Sequence, residues 1–170
     1  ADVGTRLQMA RGPALTRIKQ AAEQIIRGLS IKEDTLEISE GVLLALAWPD
    51  RIAQKRGGAR RYRFAGGGGG ILAEHDRLSV NDFLAVALTD GASGDQRIYL
   101  AAPIMSAEIE KYFASHITTV EQAGWDAKTK SVLALRQRKL GSLVLEERPL
   151  TNLSPEVLAD GLIHGIRQAG

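Results

Sequence analysis

The chain has 170 residues, 44% of them hydrophobic and 25% charged, with a net charge of +2. That balance is one of a soluble globular protein and excludes a disordered chain, and no apolar run approaches the roughly 20 residues of a membrane-spanning helix. There is no cysteine, which excludes disulfides, thiolate metal sites and cysteine nucleophiles together.

The N-terminus carries no charged, apolar and cleavage-site series, so no secretory signal is expected, and the absence of cysteine makes a reducing cytoplasm the natural compartment. The sequence opens on Ala1 rather than Met, which points to a piece of a longer chain. Pro13 suits a first helical position. From there Leu15, Ile18, Ala22, Ile25, Ile26 and Leu29 recur at three- and four-residue spacing, predicting an amphipathic helix over 13–29. A polar connection, Ser30 to Thr35, follows. Ser39 is placed to cap a short, almost wholly apolar helix, Gly41 to Trp48, that Pro49 ends. With so little polar face, that helix is expected to be buried between two layers.

Beyond residue 50 the period changes to that of strands. Arg60–Ala65 and Ile71–Ala73 predict a hairpin around the glycine run Gly66–Gly70. Phe83–Thr89 and Arg97–Ala102 are further strands, joined through Asp90–Asp95 with Gly91 and Gly94 as turn residues. Ser106 is placed to cap a short helix running to Phe113, with Ile109-Glu110 completing the cap. Ile117–Trp125, Ser131–Leu140 and Ser142–Glu147 are three more extended stretches, the first two joined by the turn Asp126–Lys130. Ser154-Pro155 opens a last helix with Val157, Leu158, Leu162, Ile163 and Ile166 as its apolar stripe. The order predicts an α+β fold: a small antiparallel β-barrel with flanking helices and an additional antiparallel β segment.

Catalytic chemistry finds no support along this chain. A phosphate-cradling loop needs Lys and Ser or Thr directly after its last glycine, whereas Ile71 and Leu72 follow Gly70, so the run reads as a hairpin tip. His75, His116 and His164 have no metal-ligand spacing. Glu146 and Glu147 are adjacent on a strand and point to opposite faces, while Asp90 and Asp95 bracket a turn, where Asp commonly bonds its own backbone. No catalytic or metal-binding residue and no cofactor of the chain's own is therefore expected.

The charge distribution is more telling than its total. Arg51, Lys55, Arg56, Arg60, Arg61 and Arg63 crowd one short stretch, and Arg136, Arg138 and Lys139 form a second group. Such clusters are the footprint of a phosphate-binding surface. On a strand Arg61 and Arg63 share one face while Tyr62 and Phe64 share the other, so one face meets phosphates and the other the core. The same alternation sets Arg136 and Arg138 together, opposite Leu135, as a second positive row. Arg51, Lys55, Arg56, Arg60, Arg61, Arg63, Arg136 and Arg138 are the candidate nucleic-acid contacts; a basic face turned toward a partner protein or a neighbouring domain is the alternative.

Two stretches, GVLLALAWPDRIAQKRGGARRYRFAGGGGGILA from Gly41 and WDAKTKSVLALRQRKLGSLVLEERPL from Trp125, resemble successive blocks of the bacterial HrpB-type DEAH-box RNA helicases. The glycine-only tip Gly66–Gly70 departs from the family pattern. The resemblance implies an accessory region of an ATP-dependent helicase. Residues 1–38 would be the end of a helical ratchet, 39–103 an OB-like barrel with its leading helix, 104–150 a family-specific helix and β-hairpin segment, and 151–170 a C-terminal helix. It further implies single-stranded RNA or DNA as partner and two RecA-like motor domains elsewhere in the parent chain that hold ATP and Mg²⁺; the lack of a long apolar run, for its part, predicts no membrane association.

Overall fold

The computed structural model describes residues 1–29, 38–58, 60–126 and 131–150, together with Ala159 and Ile163, both helical. The polar connection at Ser30–Thr35, residues 127–130 of the expected turn, and the rest of the helix expected from Ser154 lie outside the described residues. The chain divides into two compact units, residues 1–112 and 113–170.

The first unit is built on a closed five-stranded barrel. Its strands are β1 (Ile52–Lys55), β2 (Arg61–Phe64), β3 (Gly69–Ile71), β4 (Phe83–Thr89) and β5 (Asp95–Pro103), in the order β1-β2-β3-β5-β4. β1 closes the ring by pairing antiparallel with both β2 and β4, and β3 runs parallel to β5. That order, with one parallel pair, is the OB-type barrel. Because successive strand residues face opposite sides, β2 alternates cleanly: Arg61 and Arg63 are exposed, Tyr62 and Phe64 buried. The interior holds Ala53, Tyr62, Phe64, Leu72, Leu84, Val86, Ile98 and Ala101. Leu78, from the 3-10 turn Arg77–Val80, closes one end. The Tyr62 hydroxyl donates to the carbonyls of Leu78 (3.1 Å) and Asn81 (2.8 Å), tying β2 to that turn.

Strand β4 matches its expected bounds, but three details of the barrel and its leading helix stand out against the sequence expectation. Strand β1 has no counterpart among the predicted strands, since four residues with two half-buried polar positions give little periodic signal. The glycine run is not merely a hairpin tip. Gly69 and Gly70 are ladder residues of β3, leaving Ala65–Gly68 to make the turn, with Gly67 and Gly68 at positive φ. A Cβ on Gly70 would stand 2.7 Å from the Phe64 ring and 2.9 Å from Ile98 Cδ1, so the narrow barrel leaves that position no room for a side chain.

The third difference concerns the apolar helix. α3 (Glu40–Ala47) is capped as expected, Ser39 Oγ accepting from the Val42 N–H at 3.2 Å. It is not sandwiched between two layers. Gly41, Val42 and Ala45 are buried, whereas Leu43, Leu46 and the following Trp48 are about half exposed. Only one face of the helix meets β4 and β5, as residues three and four apart require.

Helix α1 (Val3–Met9), absent from the predicted elements, follows an Asp2 N-cap. α2 (Gly12–Leu29) has the expected span, yet Ile18, Ile25 and Ile26 of its apolar stripe are exposed. In α4 (Ser106–Tyr112) the cap is made by Glu108, whose carboxylate accepts from the Met105 N–H at 2.8 Å, and not by Ile109-Glu110.

The second unit carries a three-stranded antiparallel sheet of β6 (Ile117–Asp126), β7 (Ser131–Leu140) and β8 (Leu143–Pro149), in that order. Its register sets Arg136 opposite Glu121 on one side and Arg148 on the other.

Candidate nucleic-acid interface

The outer surface of β2, β3 and β5 brings together residues far apart in sequence. Pairing aligns Arg61, Ile71 and Arg97 in one row across the three strands, and Arg63, Gly69 and Asp95 in the next. Arg61, Arg63 and Arg97 are exposed. Arg61 and Arg63 stand about 7 Å apart along their strand, and neighbouring strands are separated by about 4.8 Å. Arg63 makes no ion pair among the described residues. Arg97 lies over the ring of Tyr99, 5.8 Å from its centroid. Tyr99 sits at a register shift between β4 and β5 and is exposed, where a bulge re-aims the side chain outward. Its carbonyl accepts from Arg6 of α1 at 3.0 Å.

Two loops border this face. The β1–β2 loop supplies Arg56, whose Nη2 donates to Asp95 Oδ1 at 2.5 Å; Asp95 Oδ2 stands 3.8 Å from Arg61 Nε. The β4–β5 loop is shaped by Asp90, whose Oδ1 accepts from the N–H groups of Ala92 (3.1 Å) and Arg97 (3.0 Å), with Gly91 and Gly94 at positive φ. Asp90 thus bonds its own backbone, whereas Asp95 pairs with cations instead. Arg60, half-buried at the entry to β2, lines a groove of about 330 Å³ with Ile71, Leu72, Ala73, Glu74 and Arg97.

Two of the candidate cations bond to carbonyls at other places on the barrel. Arg51 Nη1 donates to the Ala87 carbonyl at 3.0 Å, and Lys55 Nζ to the Ser79 carbonyl at 2.7 Å. These bonds tie barrel segments together. The second positive row is an ion-pair ladder. Arg136 donates twice to Glu121 Oε1, at 2.9 and 2.7 Å, and Arg138 Nη1 lies 3.6 Å from Glu146, which also accepts from Arg148. Cross-strand Glu residues that alternation within one strand does not reveal therefore offset its charge. Tyr62 and Phe64 are buried and offer no stacking surface, and burial, with Asp82 and Asp76 nearby, pushes the Tyr62 phenol up to about 12.

Arg97 and Tyr99 were not among the sequence candidates, because the parallel β3–β5 pairing that places them beside Arg61 leaves no local trace. Their signal was the polar alternation of β5, buried Ile98 between exposed Arg97 and Tyr99. Among the described residues no group of His, Asp and Glu is arranged to hold a metal ion, and no helix is long and apolar enough to cross a membrane.

Residues 116–150 match the family model of the connector region of ATP-dependent RNA helicase HrpB. The ATP-dependent RNA helicase HrpB of Escherichia coli (strain K12) is 30% identical over 155 residues, covering 89% of this chain and 19% of the relative. A crystal structure of the E. coli DExH-box NTPase HrpB superposes with a TM-score of 0.73 at 29% identity, covering 95% of this chain and 20% of that one. A crystal structure of the Escherichia coli DEAH/RHA helicase HrpB gives 0.75 at 26% identity, covering all of this chain and 21% of that one. The chain thus spans about a fifth of the length of these relatives.

Proposed function

We propose that the chain, similar in sequence and fold to a region of HrpB-type helicases, is the accessory part of such an enzyme that holds single-stranded RNA or DNA through backbone electrostatics. The observation that carries this reading is the outward set Arg61, Arg63 and Arg97 on the β2–β3–β5 face, bordered by the β1–β2 and β4–β5 loops. OB barrels take oligonucleotides on this face and between these loops. Guanidinium groups set on one face of a rigid strand offer planar forks to phosphate oxygens without ordering long loops. Tyr99 adds one exposed ring on which a base can stack.

In this reading the parent protein is a bacterial, cytoplasmic ATP-dependent RNA helicase whose RecA-like motor domains bind ATP and Mg²⁺ and are this chain's partners in the same polypeptide. The chain itself is expected neither to bind nor to hydrolyse ATP. Turnover by the purified chain that a substitution within it abolishes would overturn that expectation.

The direct test replaces both Arg61 and Arg63 by Ala. Each phosphate contact contributes about −0.7 to the slope of log affinity against log salt for single strands. The double variant is therefore expected to weaken single-stranded RNA binding and flatten that slope by roughly one to two units. Stability should change by less than about 1 kcal/mol, since exposed charges contribute little. Unchanged affinity across the salt range would refute the reading.

A second reading, an interdomain packing module, draws support from the exposed apolar side chains of Ile18, Ile25, Ile26, Leu43, Leu46 and Trp48. Were the barrel's basic face also a packing surface, the same double variant would lower the melting temperature of the full-length protein and not of this chain, with no effect on the salt slope.

A further inference from the structure

Asp95 is the carboxylate within the basic face, at the first position of β5 and in register with Gly69. Its two oxygens face Arg56 at 2.5 Å and Arg61 at 3.8 Å. The arrangement depends on a missing side chain. A Cβ on Gly69 would stand 1.9 Å from Asp95 Oδ1 and 2.5 Å from Arg56 Nη2, so the ion pair lies directly on the β3 backbone. Asp95 is not needed to shape the preceding loop, because Asp90 already accepts the N–H groups of Ala92 and Arg97.

Two guanidinium groups facing one carboxylate over a bare backbone are groups that also bind phosphate. The site reaches solvent: the Arg56, Arg61 and Asp95 side chains are 46%, 61% and 25% exposed. An ion pair this accessible contributes little net stability, so it opposes an incoming anion only weakly.

We infer that Asp95 is a built-in anionic competitor, its carboxylate occupying an Arg56–Arg61 anion site over Gly69 that a nucleic-acid phosphate enters by displacing it. The inference rests on the nucleic-acid reading above and adds a residue that sets its affinity. While Asp95 is seated, Arg56 is fastened to β5 and two cations of the face are partly neutralised. Displacement hands both cations to the ligand and releases the β1–β2 loop to follow it.

The experiment measures binding of a fluorescein-labelled oligouridylate of about twelve nucleotides to the 170-residue chain over a range of salt concentrations. Asp95→Asn is expected to tighten binding roughly three- to tenfold at low salt with little change in the log–log slope, because the same phosphate contacts form once Asp95 is displaced. Asp95→Ala, which also removes the carboxylate, should give the same gain. In an Arg56→Ala/Arg61→Ala background, Asp95→Asn should leave affinity unchanged, because the site it vacates no longer exists. An equal gain in both backgrounds would mean that loss of a negative charge acts at long range, and overturns the competitor role. Binding by the unsubstituted chain that Asp95→Asn leaves unaltered overturns this inference alone. Absence of binding by every variant overturns the functional reading and the inference with it.

Discussion

Gly41→Ala is expected to destabilise the barrel unit strongly. The added Cβ would stand 2.0 Å from the Pro103 carbonyl oxygen, 2.8 Å from its carbon and 3.1 Å from Ile104 Cβ. Two of those three atoms are backbone, held by the pairing of β5 with β4, and cannot rotate away. α3 must instead lift off the barrel, separating Val42 and Ala45, now fully buried, from β4 and β5. Overpacking typically costs about 1–3 kcal/mol and more where backbone must shift, so a loss of about 3 kcal/mol is expected. For a domain of this size that corresponds to a fall of roughly 10–20 °C in melting temperature. Gly28→Ala is the matched control: it lies in α2 with nothing within 4 Å of the added Cβ, and Ala is the better helix former. Calorimetry showing both variants melting together would mean that α3 does not seat on the barrel as described.

Tyr62→Phe is expected to reveal the bond that closes the barrel end. The hydroxyl serves two carbonyls, but not equally. That of Leu78 also accepts from the Asn81 N–H and side-chain amide, so it stays satisfied without Tyr62. That of Asn81 takes the Tyr62 hydroxyl at 2.8 Å and loses it. Because Asn81 is only half-buried, water recovers part of the loss, and a cost of about 1–2 kcal/mol near neutral pH is expected. The cost should depend on pH. The folded-state phenol is raised from 10.0 to about 12, chiefly by burial and then by Asp82 and Asp76. Between pH 10 and 12 the unfolded chain releases this proton while the folded chain retains it, so the unsubstituted protein loses stability as pH rises through that window. The Phe variant has no proton to release, and its deficit should shrink from pH 10 toward pH 12. Denaturant unfolding at pH 8 and at pH 11 measures both parts. An equal deficit at the two pH values would show that the phenol is not held in its protonated form.

Local chemistry alone was enough for most elements of this protein. Ser39 before an apolar run, Pro49 after it, and Gly91 and Gly94 between two β-rich stretches are short-range signals, and the structure places a cap, a stop and a loop there. Alternation in Arg61–Phe64 likewise determined which side chains face water, because that period belongs to the strand itself. Residues 41–73 and 125–150 carry a resemblance to HrpB-type helicases, and the similar proteins bear that name.

Tertiary structure decided what alternation cannot express. Gly69 and Gly70 became strand residues because β3 pairs with both β2 and β5, and they must be glycine because Phe64, Ile98 and the Arg56–Asp95 pair leave no room for a side chain. Arg97 and Tyr99 joined the basic face through a parallel pairing of strands more than 20 residues apart. Asp95, by its place in sequence a turn residue, became a cation partner. Arg136 and Arg138 lost their standing as a free positive row when Glu121 and Glu146 arrived on neighbouring strands. In each case the deciding contact joins residues whose separation in sequence carries no periodic signal. Charge on one strand is legible locally, but the charge of a surface is a sum over strands, and only the folded sheet performs it.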